Sequence, residues 1–334
     1  MLALVTILSL AAAPEVALLD SAGDSTRLRF QPVGSTTLAP VAASLVHAED
    51  STVLGALLPG RKKVVLATAI VGRVRDESFA AGLFRLEAGV PSRLLVDRVA
   101  ASTRPLVLEN GRVFVQRGRP GEVTGLGRVD SLSIDEVDPD SGKTRTVYEA
   151  RGFTTFLAGA LGRELVVYEV GLEGARLLAV HVDVLSVRTV VASLPPLAFD
   201  FSVDAAGKRV VFTLGQPGVE RWRVVAVDLS SGALSSLAEG PSVALVPAVL
   251  PDGRVAFAKG EGQGLTLAGG DARVLAPQGP GYERLRAVVR GLAVGLHETP
   301  SGFPRLFTVS LGDGRSFATA FPAQTRLDVA GVAP

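Results

Sequence analysis

Residues 250–257, LPDGRVAF, set the terms for the whole chain. The stretch reads as strand, tight turn, strand. Pro-Asp-Gly presets the turn, Gly accepts its positive φ, and apolar β-formers flank it. Hairpins of this form recur. Pairs of apolar segments joined by a Gly-containing connection begin at Val53 (VLGALLPGRKKVVLATA), Pro105 (PLVLENGRVFVQ), Thr155, Phe199, Leu245 and Leu285. A second hairpin follows each one, at residues 83–97, 132–149, 177–193, 222–238, 265–276 and 305–320. Residues 16–30 read as one more hairpin of this second, outer kind.

One inner and one outer hairpin make four antiparallel strands. Gly142 and Gly232, equivalent turns two units apart, are separated by 90 residues, so each unit is about 45 long, the spacing of four-stranded propeller blades. A lone four-stranded sheet with Val and Leu on both faces cannot bury them. Sheets set radially around an axis cover one another, and the ring closes. The expected fold is therefore all-β, a β-propeller of four-stranded antiparallel blades, seven in number with six as the alternative. The last ten residues, TRLDVAGVAP, look like the first strand of an inner hairpin cut off at its turn. N- and C-terminal strands are thus expected to share one blade. Residues 33–50 find no place in the repeat and read as an insertion or long connection.

Helix signals are poor: no segment keeps a 3.6-residue apolar period with caps over three turns. Residues 1–13, MLALVTILSLAAA, end in small residues like a secretory signal peptide, although no Lys or Arg precedes Arg27. The rival reading makes them a strand, which could complete the closing blade. The expected organisation is a signal peptide over 1–13 and a single propeller domain over 14–334. Location follows: periplasmic or secreted with a leader, cytoplasmic if 1–13 is a strand.

Composition narrows the functions. A net charge of +1 gives no field for nucleic acid, and the densest basic run, Arg61-Lys62-Lys63, falls in a turn. With no Cys, disulfides, thiolate metal sites and Cys nucleophiles are excluded. Beyond the N-terminus no apolar run reaches the ~20 residues of a spanning helix. Three Tyr and one Trp cannot furnish the aromatic girdles of a membrane barrel.

PDGRVAF followed by a hairpin ending in a Gly turn resembles the TolB-like propeller repeat, a style shared with the propeller of dipeptidyl peptidase IV-type enzymes. The best copies cover 244–276 and 199–238, where AGKRVVF leads to VVAVDLSSG. The resemblance implies a bacterial propeller, commonly periplasmic, that works by contact with other proteins. No specific partner carries over, and fold alone does not give function.

Candidate chemistry is sparse. His47, His181 and His297 are the only histidines, and none has a second His at ligand spacing. They read as hydrogen-bonded strand or turn residues, against the alternative of convergence on an axial metal. Asp135, Glu136, Asp138 and Asp140 precede Gly142, but the run lacks the distal bidentate Glu of a calcium loop and reads as a solvated turn. Gly260, Gly262 and Gly264 precede a strand rather than the helix a phosphate loop requires. Gly-x-Ser-x-Gly is absent, and His297-Glu298 lacks the second His of a zinc protease. Trp222 and Tyr282 suit blade packing better than a partner contact. No catalytic, cofactor-binding or metal residue is therefore assigned, and no cofactor is expected. The expected role is a non-catalytic exported scaffold binding a protein or a surface polymer. The alternatives are a lactonase-like hydrolase or lyase with an axial metal, and a purely structural propeller.

Overall fold

A computed structural model describes residues 13–49, 51–61, 63–71, 81–101, 103–119, 123–124, 127–128, 131–150, 153–172, 174–216, 219–240, 246–258, 260–268, 273–275, 281–298 and 303–333. The leader expected over 1–13 lies almost wholly outside these residues. All regular structure among them is β-strand. Five sheets have four strands each, and a larger sheet divides at a single residue pair, Val99 with Arg117, into two more. Seven four-stranded units result, one of them closed by both ends of the chain. A two-stranded ribbon, Val123–Thr124 with Gly127–Arg128, stands beside them.

In the six continuous units, strand order in space follows order in sequence. Their first strands are Leu54–Leu57, Leu106–Val107, Thr154–Leu161, Leu197–Asp204, Ala248–Val249 and Tyr282–Val289. The closing unit runs Val41–Val46, Ser25–Pro32, Glu15–Ala22, Arg326–Ala333. Arg326–Ala333 lies beside Leu54–Leu57 on one side and Tyr282–Val289 on the other. Thr154–Leu161 likewise meets Leu197–Asp204, which meets Ala248–Val249. First strands are therefore innermost.

Why the ring forms is visible in single strands. Val16 and Leu18 pack with Val294, Leu296 and Leu306 of the sixth unit. Their chain neighbours Ala17 and Leu19 pack with Val65, Ala67 and Leu86 of the first. Alternate residues of one strand point to opposite faces, so each sheet feeds two interfaces. The same division continues around the molecule. Leu66 and Leu83 meet Val113 and Val115; Phe114 and Ile134 meet Leu165 and Val167. Val166 and Tyr168 meet Val210 and Phe212; Val211 and Val224 meet Val255 and Phe257. Ala256 and Leu267 meet Ala293 and Phe307. The seventh interface returns to Val16, so no sheet face is left without a neighbour.

Two expectations are corrected. The 16–30 hairpin is not an outer pair: Glu15–Ala22 and Ser25–Pro32 are the two middle strands, buried along almost their whole length. Residues 33–50 are not an insertion, because Val41–Val46 within them is the outermost strand of the closing sheet. That strand fills the position proposed for 1–13. The physical sign was present, since outermost strands such as Val90–Val99 are largely exposed and sequences such as VALLD cannot be.

The outer turns tie neighbouring units together. Asp138 Oδ1 accepts hydrogen bonds from the Ser141 N–H at 2.6 Å and its hydroxyl at 2.8 Å. Asp228 repeats this with Ser231 at 2.7 and 2.8 Å. Gly142 and Gly232 follow at φ 76° and 73°. A Cβ at Gly142 would lie 2.5 Å from the Leu95 carbonyl of the preceding unit, and one at Gly232 would meet the Val190 carbonyl. Both the dihedral and the close approach require glycine.

Candidate axial binding site

Innermost strands begin at the face that carries the connections between units. Four of them are bulged midway along their length. Register skips Ala158, the pair Asp200 and Phe201, Arg286, and Ala330. A bulge breaks the in–out alternation and re-aims side chains. Asp200, at φ 57°, and Arg286 sit on such bulges, and each lines one of two hollows at the axis.

Two adjoining hollows open there. The first, about 730 Å³, is lined by Leu54, Arg284, Arg286, Glu298, Arg326 and Asp328 among others. Asp328 is buried, accepts from the Gly55 N–H at 2.9 Å, and pairs with Arg104. Arg104 also donates to the carbonyls of Gly55 and Val329. One guanidinium thus holds three units together. Arg284 lies 3.1 Å from Glu298. Arg284 Nε and Arg286 Nε are both buried without a hydrogen-bond partner among the described residues, but Arg286 has no carboxylate at ion-pair distance there. Burial, and then repulsion from Arg104, pushes its pKa below the usual guanidinium value.

The second hollow, about 520 Å³, is apolar: Phe156, Leu157, Tyr168, Leu197, Phe199 and Phe201 line it, with Arg104 and Asp200 at its edge. Ring centroids connect Phe156 to Tyr168 at 6.0 Å, Tyr168 to Phe201 at 5.3 Å and Phe199 to Trp222 at 5.1 Å. The Tyr168 hydroxyl donates to the Pro195 carbonyl at 2.9 Å, and burial pushes its pKa up to about 12. Asp200 is raised from the usual carboxylate value by burial, with Arg284 and Arg286 pulling it back. The two hollows meet where Arg104 reaches Asp328.

The three histidines lie apart: His47 just after the strand Val41–Val46, and His181 and His297 in two different sheets. His47 Nε2 is 2.8 Å from Thr26 Oγ1 and its Nδ1 is 2.8 Å from the Ala48 carbonyl. His181 Nδ1 accepts from the Asp183 and Val184 N–H groups. His297 is buried 3.2 Å from Glu283 beneath the first hollow. The acidic run is spread over a strand and its turn. Asp135 pairs with Arg117, Glu136 with Arg112 and Arg145, and Asp140 with Arg61 and Arg85. Gly262 and Gly264 make a turn at φ 67° and 70° before Leu265–Ala268. Trp222 lies over Gly215 and against Phe199, whereas Tyr282 begins an innermost strand. Among the described residues, no group of three or more His, Cys, Asp or Glu could hold a metal ion. Sequence reasoning did not find Arg104, Asp200, Arg286 or Asp328. The one available signal was charge inside innermost strands, Asp200 in FDF and Arg286 in LRAVV.

No protein-family model matches the chain, and no curated protein does. Solved structures do match. TolB from Acinetobacter baumannii aligns at TM-score 0.52 and 11% identity over 95% of this chain and 66% of its own. A Mycobacterium tuberculosis puromycin-hydrolyzing peptidase aligns at 0.56 and 19%, over 91% and 53%. An oligogalacturonate lyase in complex with manganese aligns at 0.51 and 14%, over 80% and 76%. The chain therefore spans about half to three quarters of these proteins. They define its class as an all-β propeller. The likeness to TolB and to the puromycin-hydrolyzing peptidase is one of fold alone, at 11% and 19% identity. No helix among the described residues is long and apolar enough to cross a membrane.

Proposed function

We propose that this chain is a non-catalytic propeller of the bacterial cell envelope that binds a protein partner at its axial mouth. The observation that carries the reading is the mouth itself, where an aromatic hollow adjoins a hollow rich in paired charges. Apolar anchors beside charged groups are what protein interfaces use. The carboxylates there sit beside arginines, an arrangement suited to recognition rather than to metal chemistry. The apolar, small-residue-terminated stretch at 1–13 supports export. The TolB-like likeness supports the envelope, by fold analogy alone.

Crosslinking pull-down from envelope extract tests the reading. Leu197, 39% exposed at the mouth, is changed to Glu, and Asp313, in an outer turn at the opposite face, is changed to Lys. Leu197→Glu is expected to lose the captured protein more than tenfold while Asp313→Lys keeps it. Equal recovery by both variants, or none by the wild type, contradicts it.

A further inference from the structure

We infer that the axial mouth is a receptor for a peptide carboxyl terminus whose last residue is apolar, with Arg286 taking the carboxylate. The inference rests on the mouth being the binding face and adds the chemistry of what enters it. Three observations lead there. Arg286 lines the charged hollow with its Nε buried and unpartnered among the described residues, and no ion pair is found for it there. A buried N–H without a partner is unfavourable, and a planar carboxylate entering the hollow can satisfy it through two parallel hydrogen bonds to Nε and a terminal nitrogen.

The surroundings select one negative charge rather than two. Glu298, Asp328 and Asp200 are close enough to act on the same arginines. Arg284 and Arg104 are already paired with Glu298 and Asp328. One guanidinium remains for one anion, and a phosphate dianion would face three carboxylates. The apolar hollow lies next to this point, across Arg104 and Asp200. A chain terminus carries its carboxylate and its last side chain on the same carbon, so one residue can reach both hollows. An acidic side chain within a peptide has no apolar group so placed.

Trp222 is the chain's only tryptophan and packs on Phe199 of the apolar hollow, so its emission reports on occupancy. The probes are N-acetyl-Ala-Phe with a free carboxylate, the same peptide as its C-terminal amide, 3-phenylpropionate and inorganic phosphate, titrated into the full chain. The free-acid peptide is expected to shift the emission saturably. The amide is expected to need at least tenfold more, and phosphate is expected not to displace the peptide. In Arg286→Gln the preference for acid over amide falls below twofold. Arg286→Lys, which keeps charge but loses the fork, lies between. A purely structural arginine would destabilise the fold when replaced; here the urea midpoint of Arg286→Gln stays the same or rises. Equal affinity for acid and amide, unchanged preference in Arg286→Gln, displacement by phosphate, or equally tight 3-phenylpropionate each overturns the inference. Pull-down loss in Leu197→Glu without an acid preference would sink the carboxyl-terminus receptor and leave the scaffold. Acid preference without any captured protein would do the reverse.

Discussion

Removing residues 326–334 abolishes the cooperative fold. Arg326–Ala333 pairs with Glu15–Ala22 along seven register positions, and its loss bares the edge of a middle strand. Val329 no longer covers Val16 and Leu18, and the sixth and first units lose the innermost strand between them. Burial of one such side chain contributes about 2 kcal/mol, and Arg104 loses Asp328 as well. Together these exceed ~5 kcal/mol, comparable to the whole stability of an ordinary domain. Urea unfolding followed by Trp222 emission is expected to lose its sigmoidal transition. A truncated chain with an unchanged midpoint would show that the strand is an appendage.

Replacing Asp328 by Ala is the single substitution with the largest expected cost. Asp328 is buried, and its two oxygens satisfy the Arg104 guanidinium and the Gly55 N–H. Taking away one partner of a buried pair leaves the other charge uncompensated, which costs about 3–5 kcal/mol. About 3 kcal/mol is expected, since Arg104 is 32% exposed and water from the hollow reaches it. Asp328→Asn, which retains an acceptor for Gly55, costs less. Arg104→Ala in the Asp328→Ala background is milder than the sum of the two single changes, because it removes the stranded charge. Additive effects in that cycle would mean that the pair does not interact.

The architecture was legible because hairpin punctuation is local. Asp252-Gly253 and Asn110-Gly111 mark turns without help from the rest of the chain, and the unit length follows from their spacing. What failed was ranking strands within the closing sheet. Pro32 and Pro40 bracket a stretch without periodicity, and Val41–Val46, which follows it directly, is too short and too exposed to stand out as a strand. Its partly exposed pattern is that of an outermost strand. The two-residue strands Leu106–Val107 and Ala248–Val249 are also too short to show a period. The axial site was illegible for a different reason. Arg104, Asp200, Arg286 and Asp328 come from four separate units, and only ring closure brings them together. Asp200 and Arg286 sit on bulges, which hide them from any alternation rule.

Closure by the two chain ends is the claim on which the axial site depends, and a crosslink tests it directly. The chain has no cysteine, so a pair introduced by Glu15→Cys and Ala333→Cys, register partners in adjacent strands, reports on that contact alone. Oxidation is expected to give a monomeric disulfide in high yield. It closes a loop of more than 300 residues and should raise stability by an amount on the order of 5 kcal/mol in the chain-entropy account. Free thiols after oxidation, or disulfide-linked dimers in place of the monomer, would contradict a ring whose first and last strands share one sheet.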